Sequence, residues 1–80
     1  MDEAEAAILA LLEARGAGKT ICPSEAARSL AGPDGDWRVR MDAVHTAVDA
    51  LLEQGAVTLT WQGAPKSERR GPYRIARRTC

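Results

Sequence analysis

The chain has 80 residues, enough for one small domain near the lower size at which a single apolar core suffices. Eleven basic and eleven acidic side chains cancel, so net charge names no partner. No apolar run approaches the roughly 20 residues that span a bilayer. Charge is unevenly placed, however: residues 1–36 carry a net −4 and residues 37–80 a net +4. Most of the positive charge lies late, at Lys66, Arg69, Arg70, Arg74, Arg77 and Arg78.

The N-terminal MDEAEAAILALLEARG predicts a helix from about Glu3 to Arg15, with Ile8, Leu11 and Leu12 facing inward. Its opening acids, where a signal peptide needs a basic region, argue against secretion. Cys22 and Cys80 allow at most one disulfide, so a reduced, cytoplasmic protein is the simpler expectation. Gly16 and Gly18 break the helix, and Lys19-Thr20-Ile21 reads as a short extended segment. Gly18-Lys19-Thr20 ends like a phosphate-binding loop, but the required earlier glycine is Glu13 and the flanking elements come in the wrong order. Nucleotide binding is rejected.

CPSEAARSLAG predicts a second helix of about nine residues, with Pro23 in its first turn and Ala26, Ala27 and Leu30 buried. GPDGD then forms a turn. From Asp36 to Gly55, Trp37, Met41, Val44, Val48, Leu51 and Leu52 recur at steps of three and four, the period of a helix burying one stripe. Asp36 caps its start and Gly55 ends it in a left-handed conformation. The period then falls to two: Val57, Leu59 and Trp61 mark one strand, and Tyr73 and Ile75 a second that opens at Pro72. GAPKSERRGP between them is read as a hairpin loop too long for a tight turn. The order of helix, short strand, helix, helix, strand, basic loop and strand predicts one domain over residues 1–80. Its class is mainly α with a small β-hairpin, arranged as a winged helix-turn-helix.

Cys22-Pro23-Ser24-Glu25, Trp37-Arg38 and Gly71-Pro72-Tyr73-Arg74 resemble a family of small bacterial winged-helix proteins known only as domain of unknown function 3253. The resemblance covers nearly the whole chain. It implies a fold, a bacterial source and a cytoplasmic location, and it brings neither catalytic residues nor a ligand.

Two functions compete. Lys66, Arg69, Arg70, Arg74 and Arg77, on or after the loop, with Arg38 and Arg40 at the start of the long helix, suit contacts to DNA phosphates. The outward face of that helix speaks against ordinary base reading. It carries Val39, Asp42, Ala43, Thr46, Asp49, Ala50 and Glu53, and no Arg, Lys, Asn or Gln at its centre. The alternative is a protein partner or self-association through Val39, Asp42, Ala43, Thr46 and Ala50.

Other chemistry finds little support. His45 reads as a partly buried histidine bonded to a neighbour, because one histidine and two distant cysteines give no zinc spacing. Cys22, at a helix start where the dipole favours a thiolate, reads as a small packed residue. Trp37 and Trp61 can stack on unpaired bases, but their positions favour core packing. No enzyme activity, cofactor, metal, membrane association or small-molecule ligand is expected.

Overall fold

The first helix begins where the sequence offers a reciprocal cap. Asp2 Oδ1 accepts from the Glu5 N–H at 2.8 Å, and the Glu5 carboxylate accepts from the Asp2 N–H at 3.3 Å. The computed structural model describes residues 2–16, 18–66, 69 and 71–78. In chain order these form α1 (Glu3–Arg15), β1 (Thr20–Ile21), α2 (Pro23–Ala31), a 3-10 turn (Trp37–Arg40), α3 (Met41–Glu53), β2 (Val57–Trp61), β3 (Ala64–Lys66) and β4 (Arg74–Arg77). The result is three α-helices beside a four-stranded antiparallel sheet of order β1-β4-β2-β3.

The long amphipathic stretch is not one uninterrupted helix. Asp36 Oδ1 accepts from the Arg38 N–H at 3.0 Å, which favours a tight turn over Trp37–Arg40 before α3 begins at Met41. The far end is as expected: Gly55 has φ +74°, and the Gly55 and Ala56 N–H groups bond back to the carbonyls of Leu52 and Leu51. Val44, Ala47, Val48 and Leu51 are buried, while Trp37, Met41 and Leu52 are half-buried.

The sheet supplies the other half of the core. Ile75 stands opposite Ile21 on one side and Leu59 on the other, so three branched side chains form a buried row across β1, β4 and β2. Ile8 and Leu12 of α1, Ala26 and Ala27 of α2 and the buried stripe of α3 complete the cluster.

The hairpin corrects the sequence reading. The loop after Trp61 is a two-residue turn at Gln62 and Gly63, with φ +53° and +83°, the positive values that a type I′ turn requires. Trp61 therefore pairs with Ala64, and β3 returns along β2. Gln-Gly is a weaker signal than Asn-Gly, and Pro65 within the returning segment disguises it as loop. As β3 lies at the sheet edge, its proline costs no ladder bond on the open side. Pro72 and Tyr73 precede β4 and do not belong to it. No helix among the described residues is long and apolar enough to cross a membrane.

Candidate functional site

The basic residues proposed for one DNA-contacting surface do not all share a face. Lys66 lies in β3, not in a loop, and its Nζ donates to the Pro72 carbonyl at 2.9 Å. Arg74 alternates with buried Ile75, so it points away from the helices, where it reaches the edge strand. Its Nε donates to Thr20 Oγ1 at 2.7 Å and its Nη2 to the Thr20 carbonyl at 3.3 Å. Arg74 thereby anchors β1, a strand of only two residues. Arg77 is exposed at the end of β4, opposite Val57. Arg70 and Cys80 lie outside the described residues.

Three arginines do lie beside α3. Arg38 and Arg40 are exposed on the 3-10 turn that leads into it. Arg69 folds back onto the helix itself: its Nε and Nη2 donate to the two Asp49 carboxylate oxygens at 2.9 and 3.1 Å. This two-pronged bond holds the Asp49 carboxyl below its usual range and raises the guanidinium. The expected outward face of α3 is where the wheel places it. Val39, Asp42, Ala43, Thr46 and Asp49 are exposed, and Ala50 is half-buried.

The three short segments that carry the family resemblance meet at one place. Cys22, Pro23 and Ser24 at the start of α2 form one wall of an apolar groove of about 340 Å³. Trp37 and Met41 also line it, with His45 one turn further along α3. Gly71, Pro72 and Tyr73, with Trp61 at the end of β2, complete the lining. Trp37 is the best-supported of these rings: the guanidinium carbons of Arg28 and Arg38 lie 4.9 and 4.7 Å from its centre.

Trp61 departs from the expected core placement. It shares the inward-facing side of β2 with Val57 and Leu59, but keeps 39% of its surface exposed. Alternation alone shows which way a side chain points, not whether anything waits there. Cys22 is half-buried in the groove wall and its sulfur accepts from the Ser24 hydroxyl at 3.2 Å.

His45 has the neighbour expected of it. Its Nδ1 lies 2.7 Å from the Tyr73 hydroxyl. Burial pushes the Tyr73 phenol up to about 12, so the hydroxyl stays protonated and shares one hydrogen bond with the imidazole, its direction set by the histidine tautomer. Burial, followed by the Arg69 charge, lowers the His45 pKa from its ordinary 6.5, with Asp42 and Asp49 opposing. The unfolded chain therefore takes up a proton at a pH where the folded protein does not. Stability is full above 6.5 and falls as pH drops below it. Melting temperatures followed by circular dichroism from about pH 7.5 to 5 should show this decline, and His45→Gln should flatten it.

Architecture and groove together define a small α/β module with an aromatic recess and an arginine-flanked, partly acidic helix face. The sequence matches, over residues 1–78, the family described as protein of unknown function (DUF3253), and the chain belongs to that family. No curated protein matches it.

Proposed function

We propose that the chain is a winged helix-turn-helix module that holds DNA by its phosphate backbone. The observation that carries this reading is the order of elements combined with their pairing. A short β1 between α1 and α2 joins the sheet beside β4, and a brief turn leads from α2 toward α3. This order and pairing support a winged-helix reading, in which a helix and a neighbouring hairpin border one nucleic-acid-facing surface. The β2–β3 hairpin then forms the wing, and Arg69 places a cation against the helix.

The Arg69–Asp49 pair does not stand in the way. Both partners are well exposed, and surface ion pairs contribute only about 0–1 kcal/mol. A phosphate that releases condensed counterions can take the place of such a carboxylate. Arg38 and Arg40 supply further backbone contacts at the start of the helix.

Labelled DNA, duplex and single-stranded, titrated over a range of salt concentrations tests the reading. Binding should fall steeply with salt, and Arg69→Ala/Arg70→Ala should reduce the slope by about one to two units. Asp49→Asn, which removes the competing carboxylate, should tighten binding. No binding of either DNA form at low salt would sink the proposal.

One observation favours a different reading. Val39 is 72% exposed on a strip with Ala43, Thr46 and Ala50, a surface suited to a second helix. Sedimentation of the native protein beside Ala43→Arg tests the self-associating form, which requires a dimer that the arginine disrupts.

A further inference from the structure

We propose that the exposed Trp61 ring at the edge of the apolar groove is a stacking platform for an unpaired base, so that the chain binds single-stranded DNA in preference to duplex. This deepens the DNA-binding reading and rests on it.

The first support is what α3 lacks. A helix placed in the major groove reads base edges chiefly with Arg, Lys, Asn or Gln. The exposed side of α3 offers Asp42, Thr46, Asp49 and Glu53, with Val39 and Ala43. Three carboxylates carried into the groove of a duplex would face phosphates on both sides, and only Asp49 has an arginine against it among the described ion pairs.

The second support is what lies beside the helix. Trp61 is a large ring held out at a hairpin tip by a two-residue turn, where its backbone is tied to Ala64. The core does not need it, since Val57 and Leu59 already fill the inward positions of β2. Across the recess, Trp37 is held by the guanidinium groups of Arg28 and Arg38. Tyr73 and Met41 line the space between. The volume of about 340 Å³ lies in the range that receives small ligand groups.

Charge then decides the occupant. Arginines on the Trp37 ring repel an organic cation, so a cage for quaternary ammonium is the wrong chemistry. A purely apolar segment leaves those arginines without use. An unpaired nucleotide meets both demands, because its base has a face for the exposed Trp61 indole and its phosphate an anion for the guanidinium groups that cover Trp37. Stacking of this kind tolerates any base, which fits a site without a set of base-edge donors.

Fluorescence anisotropy with a short labelled oligonucleotide and its own duplex, at one salt concentration, separates the possibilities. The single strand should bind at least about tenfold more tightly than the duplex, and should quench tryptophan emission. Trp61→Ala should weaken single-strand binding by about five- to a hundredfold and leave duplex binding unchanged, and Trp61→Phe should retain most of the affinity. Trp61 is exposed, so neither substitution threatens the fold, and circular dichroism checks this. Equal binding of both forms, or equal weakening of both by Trp61→Ala, overturns the stacking site while leaving backbone binding intact. No binding of either form removes both readings. A dimer in sedimentation that Trp61→Ala abolishes would assign the groove to a second copy of the chain and overturn the proposal.

Discussion

Leu51→Ala should remove about 2–5 kcal/mol of folding stability, a large share of the roughly 4–12 kcal/mol expected for a chain of this length. Leu51 is fully buried in α3, in the same cluster as Ile8, Val48, Leu59 and Ile75. Truncation takes away its transfer free energy and leaves a cavity that three elements border. Relaxation is hindered because the Leu51 carbonyl also accepts the Ala56 N–H at 2.9 Å, which fixes the helix end against the start of β2. In urea, with a slope near 1 kcal/mol per molar for so small a protein, the midpoint should fall by about 2 M or more at unchanged slope. Leu52→Ala, one position on but half-buried, should give a clearly smaller shift. Equal shifts for the two would mean that α3 is rotated from the orientation described.

The sequence places Leu51 and Leu52 in one apolar stripe, and the fold separates them, with Leu51 buried and Leu52 half-buried. The inward positions of α3, the left-handed Gly55, the capping role of Asp36 and the polar bond of His45 all follow from local chemistry. Each is set by residues within a turn or two, or by the single rule that a buried polar atom finds a partner. The corrections concern distance along the chain. Whether Lys66 belongs to a loop or a strand depends on β2, which it pairs with across Gln62-Gly63. Whether Trp61 is covered depends on how far the helices extend over the sheet. Arg74 illustrates the same limit. Its composition suggested a phosphate contact, yet its neighbour is Thr20, 54 positions earlier.

The candidate site was legible only in pieces. Cys22-Pro23-Ser24, Trp37 and Gly71-Pro72-Tyr73 stood out individually, each with its own local explanation. Pairing of β1 with β4 brings the last segment beside the first, and the short connection from α2 brings Trp37 beside both. No period in the sequence encodes that meeting. The Arg69–Asp49 bond was equally hidden, since a cation in a basic loop and an acid on a helix face are both ordinary surface residues until the fold joins them.

Gly35→Ala should damage both the fold and the groove, although Gly35 touches neither Trp61 nor Tyr73 in the groove wall. A Cβ at this position would be driven into the carbonyl oxygen of Ala31 and would lie 2.8 Å from its carbonyl carbon. The obstacle is backbone at the end of α2, so no side-chain rotation relieves it. The turn must open, which strains the Gly35 N–H bond to the Gly32 carbonyl at 3.2 Å. Overpacking of this kind costs about 1–3 kcal/mol. Trp37 leaves the turn two residues later, where it is clasped between Arg28 of α2 and Arg38 of its own turn. Moving the turn away from α2 separates Trp37 from Arg28 and withdraws the indole from the recess. In a Trp61→Phe background, where Trp37 is the sole tryptophan, Gly35→Ala should therefore shift emission to the red as well as lower the melting temperature. Gly32→Ala is the control. Its site is sterically open, but its φ of +78° strains any side chain, so it should cost stability through the backbone alone and leave Trp37 in place. If Gly35→Ala melts and emits like its parent, the close approach of the turn to Ala31 is not maintained in solution. The route from that glycine to the groove would then fail at its first step.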